Sequence, residues 1–226
     1  MSSQNIFLQR LKRSLGKLRK GSESPVRRHI LRQQVKGLRR QRQPVKLVIG
    51  AGPTSYEGWL SADLPVLDAL NPQHWRSIFE PGDIDRILAE HVMEHWTEEE
   101  LGCFLRIVRP YLSKQGAIRI AVPDGFHPDQ HYIDWVKPGG TGCGADDHKV
   151  LYNYLTITAF LSGEHYEVRL LEYFDEGGKC HRIAWAAEDG FVQRSADNDL
   201  RNRGHPLSYT SLILDAFPET KTKDKE

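Results

Sequence analysis

The chain has 226 residues, enough for one self-sustaining domain with an appendage. Its three cysteines, Cys103, Cys143 and Cys180, lie far apart and argue against a disulfide framework or a cysteine zinc module, and no apolar run is long enough to span a bilayer. The net charge of +1 hides a split: residues 1–46 carry fourteen Lys and Arg against one acid, Glu23, while the rest carries seventeen bases and twenty-nine acids.

Leu8, Leu11, Leu15 and Leu18 recur at steps of three and four among Lys and Arg, which predicts a short basic amphipathic helix over residues 1–20. Gly21 to Pro25 breaks it. A second basic stretch, Arg27 to Arg42, puts Ile30, Leu31, Val35 and Leu38 roughly on one face before Pro44 ends it. Residues 1–45 thus read as an arm that packs on its own domain or a neighbouring subunit, or docks on an anionic partner, RNA or a membrane surface. No uninterrupted apolar segment follows the basic N-terminus, so the expected location is the cytoplasm.

From Lys46 to Phe217 strand and helix patterns alternate, which predicts an α/β domain over residues 46–217. Lys46 to Ala51 is a buried strand entering a glycine loop, Trp59 to Leu64 a second strand, Asn71 to Phe79 a short helix and Asp85 to Glu90 another buried strand. His91 to His95 opens a helix or turn. Thr97 to Glu100 has the spacing of a capping box, and Leu101, Phe104, Leu105 and Val108 form the apolar face of the helix it starts. Ala117 to Val122 is the next strand. Residues 123–147 are rich in Gly, Pro, Asp and His without periodicity, the composition of an irregular lid or active-site loop. Asp147 is the expected cap of a helix from His148 to Leu161. Tyr166 to Phe174 and His181 to Ala187 flank the hairpin signal Glu176-Gly177-Gly178, and Ser211 to Phe217 is a last strand before a frayed tail at 218–226.

Gly50-Ala51-Gly52 sits where the first strand gives way to a loop, so the backbone can approach a ligand closely. A dinucleotide site expects a third glycine, a helix and then an acid about twenty residues on. Here Ser55 holds the third position, Pro53 and Gly58 disfavour the helix, and Asp63 comes eleven residues after Gly52. Several segments, in order, resemble the type 11 class I methyltransferases that use S-adenosylmethionine (SAM): Ile49 to Gly52 with Gly58-Trp59 and Ala62-Asp63; Ile87 to His95; Val108 to Leu112 with Gly116 and Arg119 to Asp124; and Ser211 to Ala216. The resemblance implies a Rossmann-like three-layer sandwich with a mostly parallel sheet, and SAM as cofactor. It implies that Gly50, Ala51 and Gly52 lie under the methionine and ribose, that Asp63 holds the ribose hydroxyls, and that Glu90 and His91 line the pocket near the sulfonium. The usual Pro-Gly-Gly turn is replaced by Ser113-Lys114-Gln115-Gly116, and residues 124–147 and 174–205 have no counterpart, so the small-molecule or polymer-linked acceptor is left open.

Methyl transfer to a hydroxyl or amine needs a positioned acceptor and a group to take its proton. His91, Asp124 and His127 are the candidates. Glu90, His91, Glu94 and His95 fall within six residues, but Val92 follows His91 where the H-E-x-x-H zinc pattern requires a glutamate, so no metal is expected. Tyr132, Trp135 and Tyr152 can stack on an acceptor or pack in the core, and Arg194, Arg201 and Arg203 can bind an acidic acceptor or pair with the acidic body.

Overall fold

The structure, a computed structural model, describes residues 25–204 and 207–219. The basic helix expected over residues 1–20 and the end of the tail lie outside them. Residues 25–40 form helix α1, followed by β1 (Val45–Ile49), β2 (Leu60–Ala62), α2 (Pro72–Ile78), β3 (Ile84–Glu90), α3 (Glu98–Val108), β4 (Leu112–Pro123), α4 (Gln130–Val136), α5 (Tyr154–Gly163), β5 (Tyr166–Phe174), β6 (Cys180–Arg182) and β7 (Ser211–Pro218). One seven-stranded sheet runs in the order β2-β1-β3-β4-β7-β5-β6. The first four are parallel neighbours; β7 is antiparallel to both β4 and β5, and β6 to β5. Five of the seven strands therefore point the same way, the Rossmann-like arrangement that the resemblance implies.

Helices α1, α2, α3 and α5 gather on one face. Leu31 and Val35 of α1, Trp75 and Ile78 of α2, Leu101 to Val108 of α3, and Ile157 and Leu161 of α5 all enter one buried cluster with the sheet. Trp75 anchors it, fully buried and in ring contact with Phe79, Phe104 and Tyr111. The opposite face is covered by an irregular segment, with Trp185 and Val192 packing on Val48, Leu88, Ala121 and Ile213. This third layer needs no helix because Arg119, buried on that face, donates to the Ala186 and Gly190 carbonyls and pins the segment down.

The second basic stretch folds on the body. Leu31 and Val35 are buried, whereas Ile30, expected on the same face, is half exposed. Arg28 donates to the Val66 and Pro65 carbonyls, and Arg39 pairs with Asp83 and Glu80. Part of the basic excess is thus matched to the acidic body.

Several local expectations need correction. The strand placed at Ala117 starts at Leu112, which pairs with Ile84; Gly116 permits this because a Cβ there would sit 2.8 Å from the Ile84 carbonyl oxygen. Residues 123–147 are not wholly irregular: Asp129 caps α4, which buries Tyr132 and Val136 against Tyr209. The helix placed at His148 starts at Tyr154, because Asn153 and Thr156 form a reciprocal capping box there. Asp147 does not cap it; residues 148–150 are extended, with Lys149 and Val150 N–H groups donating to the Glu94 carbonyl. The strand expected over His181 to Ala187 stops at Arg182. The capping box of Thr97 and Glu100 is present, and all four residues expected on that helix's apolar face are buried.

Candidate functional site

Open α/β sheets bind ligands beyond the carboxyl ends of their parallel strands. In this chain Ile49 pairs with Ala62, Glu90 with Ala121, and Pro123 with Ser211, so Gly50, Asp63, His91, Asp124 and the start of β7 come to one edge. Sequence spacing alone does not show that Ser211 belongs to this set.

Gly50 and Gly52 both adopt left-handed backbone conformations, φ +60° and +53°. A Cβ on Gly50 would lie 2.6 Å from Val92 Cγ2, so this glycine is covered by Val92; one on Gly52 would meet open space. Ala51 is buried, and its N–H donates to the Ala62 carbonyl. The Asp63 carboxylate accepts from the Gly52 N–H at 3.0 Å and from the Leu64 N–H at 2.7 Å. A carboxylate offers about four lone-pair positions, so further acceptor capacity is left for a diol. A groove of about 600 Å³ runs over Gly52 and Asp63, with Leu31 and Gln34 of α1 in its wall. That volume is within the roughly 300–1,000 Å³ range of small-molecule sites. Helix α1 is therefore part of the groove wall, which its composition does not reveal.

Glu90 is tied to the irregular segment. Its carboxylate accepts from the Gln193 and Arg194 N–H groups at 3.1 and 2.8 Å. The neighbouring ring contact of Tyr56 with Phe191 brings the glycine loop and this segment together. His91, at φ +53°, has Nδ1 3.0 Å from Glu94 Oε1 and Nε2 2.9 Å from Ser211 Oγ. The Ser211 hydroxyl donates to the Arg194 carbonyl, so Oγ accepts from the imidazole N–H. The carboxylate, imidazole and hydroxyl fall in line as in a nucleophilic triad, but Ser211 is fully buried and orients the ring without being presented for attack. His91 lines a cavity of about 160 Å³ together with Trp135, Cys143, His148, Arg194 and Tyr209. Arg201, in the same wall, pairs with Asp199 and lies over the Tyr209 ring. The Arg194 guanidinium makes no ion pair or hydrogen bond with the described residues.

The other two proton-transfer candidates do not line this cavity. Asp124 is fully buried and accepts from the Phe126 and Phe174 N–H groups at 2.9 and 2.7 Å, tying the end of β4 to the end of β5. Burial pushes its carboxyl up to about 6, against the opposing effect of these two bonds. His127 is buried, stacked at 3.9 Å on Tyr132, with Nδ1 accepting from the Asp129 N–H; burial lowers its pKa. Both are buried and held by the chain's own groups, and neither lines this cavity. Tyr132 and Tyr152 pack in the core, whereas Trp135 reaches the cavity. The glycine-rich stretch 139–144 is a tight turn over Trp135, with the Gly142 N–H donating to the Trp135 carbonyl; a Cβ on Gly142 would lie 2.4 Å from the indole.

No family model and no curated protein matches the chain. Among solved structures it is similar to a SAM-dependent methyltransferase from Archaeoglobus fulgidus, at 14% identity, over 86% of this chain and 96% of that one, with a TM-score of 0.43. It is similar to a 1,6-didemethyltoxoflavin N1-methyltransferase from Burkholderia thailandensis, at 10% identity over 97% and 92%, with a TM-score of 0.44. A phosphoethanolamine N-methyltransferase from Haemonchus contortus is 12% identical, and this chain spans 49% of its length, with a TM-score of 0.42. Likenesses this distant place no residue role and no substrate on the chain. Among the described residues no helix is long and apolar enough to cross a membrane.

Proposed function

We propose that this chain binds SAM, as the type 11 class I resemblance implies, and transfers its methyl group to a polar acceptor. The observation that carries the reading is the groove in which Gly52 leaves open space beside the Asp63 carboxylate at the ends of β1 and β2. These residues suit the adenosyl end of the ligand: the glycine admits close approach, and the carboxylate accepts from ribose hydroxyls. When bound, the sulfonium supplies an electrophilic methyl group. The chain's own part is to hold the acceptor beside it and take up a proton. His91 is the candidate base: it lines the cavity of Trp135 and Arg194, and it takes the proton at Nε2 by shifting to the tautomer whose Nδ1–H faces Glu94 and releasing Ser211. Arg194, attracted by Asp199 but in no close ion pair with a described residue, favours an acceptor carrying a carboxylate or phosphate. Trp135 and Tyr209 supply apolar walls.

The test is calorimetry of the full chain with SAM and with S-adenosylhomocysteine. Both should bind, and Asp63→Ala should weaken them at least about tenfold, the equivalent of about 1.4 kcal/mol. Binding of NAD without SAM, or SAM binding indifferent to Asp63→Ala, would sink the assignment. Methyl transfer into small anionic molecules of a cell extract should disappear in His91→Gln while SAM binding persists.

A further inference from the structure

Glu94 faces His91 with one carboxylate oxygen, and the methyl-transfer reading does not explain the rest of its surroundings. Its side chain is 1% exposed, and neither carboxylate oxygen accepts a well-directed hydrogen bond, although His91 Nδ1 is 3.0 Å away. A buried carboxylate is normally satisfied at both oxygens by hydrogen bonds, a counter-charge or a metal, and His91 faces only Oε1. Two further imidazoles converge on Glu94. His148 Nδ1 is 2.6 Å from the Val136 carbonyl oxygen, which can only accept, so Nδ1 carries the proton. In the neutral ring Nε2 then presents a lone pair, 4.0 Å from Glu94 Oε1. His95 Nδ1 is buried and has no hydrogen-bond partner; its nearest acid, Asp147, is 3.6 Å away. One ligand atom from each of Glu94, His95 and His148 falls within 4.8 Å of the others.

Acceptor atoms that converge in this way repel unless a proton or a metal cation lies between them. We propose that Glu94, His95 and His148 form a binding site for a divalent transition-metal ion of the zinc type. Two imidazoles and one carboxylate are a borderline donor set suited to such ions, and three protein ligands leave a coordination position free. The Val136 carbonyl is the outer partner that fixes the His148 tautomer, the usual arrangement behind a metal-bound imidazole. The pairing of these residues depends on tertiary structure. His148 arrives from beyond α4 because Lys149 and Val150 N–H groups are tied to the Glu94 carbonyl. His148 and His91 are also cavity wall, so the ion borders the space assigned to the acceptor. The site does not depend on SAM binding.

The test uses the full chain without added affinity histidines, stripped with a chelator and titrated with zinc chloride and with cobalt chloride. About one zinc per chain should bind and raise the melting temperature, and cobalt should give the intense visible bands of a four- or five-coordinate site. His148→Ala should weaken zinc by more than the roughly 10–100-fold that loss of an outer-shell partner costs. His29→Ala, on the exposed surface of α1, should change nothing. No zinc uptake by the stripped wild type, equal uptake by His148→Ala, or a cobalt spectrum like that of the hydrated ion would each overturn the proposal. Should His148→Ala fail to fold, the wild-type cobalt spectrum alone decides. SAM titrated into the same stripped protein reports separately on the function proposed above.

Discussion

Replacing Arg119 should unfasten the irregular layer from the sheet. The guanidinium is 2% exposed and makes four hydrogen bonds: Nε and Nη2 to the two oxygens of Asp215, each at 2.8 Å, and Nη1 to the Ala186 and Gly190 carbonyls at 2.9 and 2.8 Å. It also lies 4.9 Å from the centre of the Trp185 ring. Arg119→Met keeps the packing stem but leaves Asp215 as a buried charge without its partner, a change that costs about 3–5 kcal/mol. Asp215→Leu added to Arg119→Met removes that charge, and should restore at least about 2 kcal/mol because no orphaned ion remains. Urea unfolding of the wild type and both variants measures these differences. Amide exchange should rise locally in residues 186–194, including the Gln193 and Arg194 N–H groups that bind Glu90. A cost for Arg119→Met below about 1 kcal/mol, or exchange that rises no more at 186–194 than elsewhere, would refute the claim that this arginine holds the layer.

The two loop glycines should respond differently. Both incur left-handed strain of about 1–2 kcal/mol as alanine. Only Gly50→Ala also drives a methyl into Val92, so it should lower stability by at least about 1 kcal/mol more than Gly52→Ala, while Gly52→Ala should cost more SAM affinity by filling the groove. Equal stabilities, or SAM affinity unaffected by Gly52→Ala, would contradict this. Asp124 gives a pH dependence of definite sign. Its carboxyl is raised from 3.8 to about 6 by burial, so the native state holds the proton more tightly than the unfolded chain. Its contribution to stability is largest below pH 3.8 and falls by about 3 kcal/mol as pH rises through 6, since each tenfold difference in proton affinity between the folded and unfolded chain is worth roughly 1.4 kcal/mol. Carboxyl NMR should place its midpoint near 6, and a midpoint below 4 would show that the two backbone hydrogen bonds, and not burial, dominate.

What could be read from residue order was what local chemistry sets. Period, caps and glycines fixed the strand entering Gly50, the capping box at Thr97 and the apolar face of the helix behind it, because each depends on neighbours within a few residues. Asp63 and the glycine loop were likewise legible, since adjacent parallel strands bring their ends together by register. Start positions near 112 and 154 were not, because Ile84 and the Asn153–Thr156 pair compete with the nearer turn signals. Tertiary structure alone decided which titratable groups reach a cavity. Asp124 and His127 have the right residue type and chain position but are drawn into the interior by Phe174 and Tyr132. His91 is aimed by Ser211 from 120 residues away. Glu94 meets His148 across an extended segment, and α1 supplies a wall to the groove. Burial and convergence are properties of distances through space, and nothing in local periodicity encodes the distance between residues that the chain brings together only when the sheet closes.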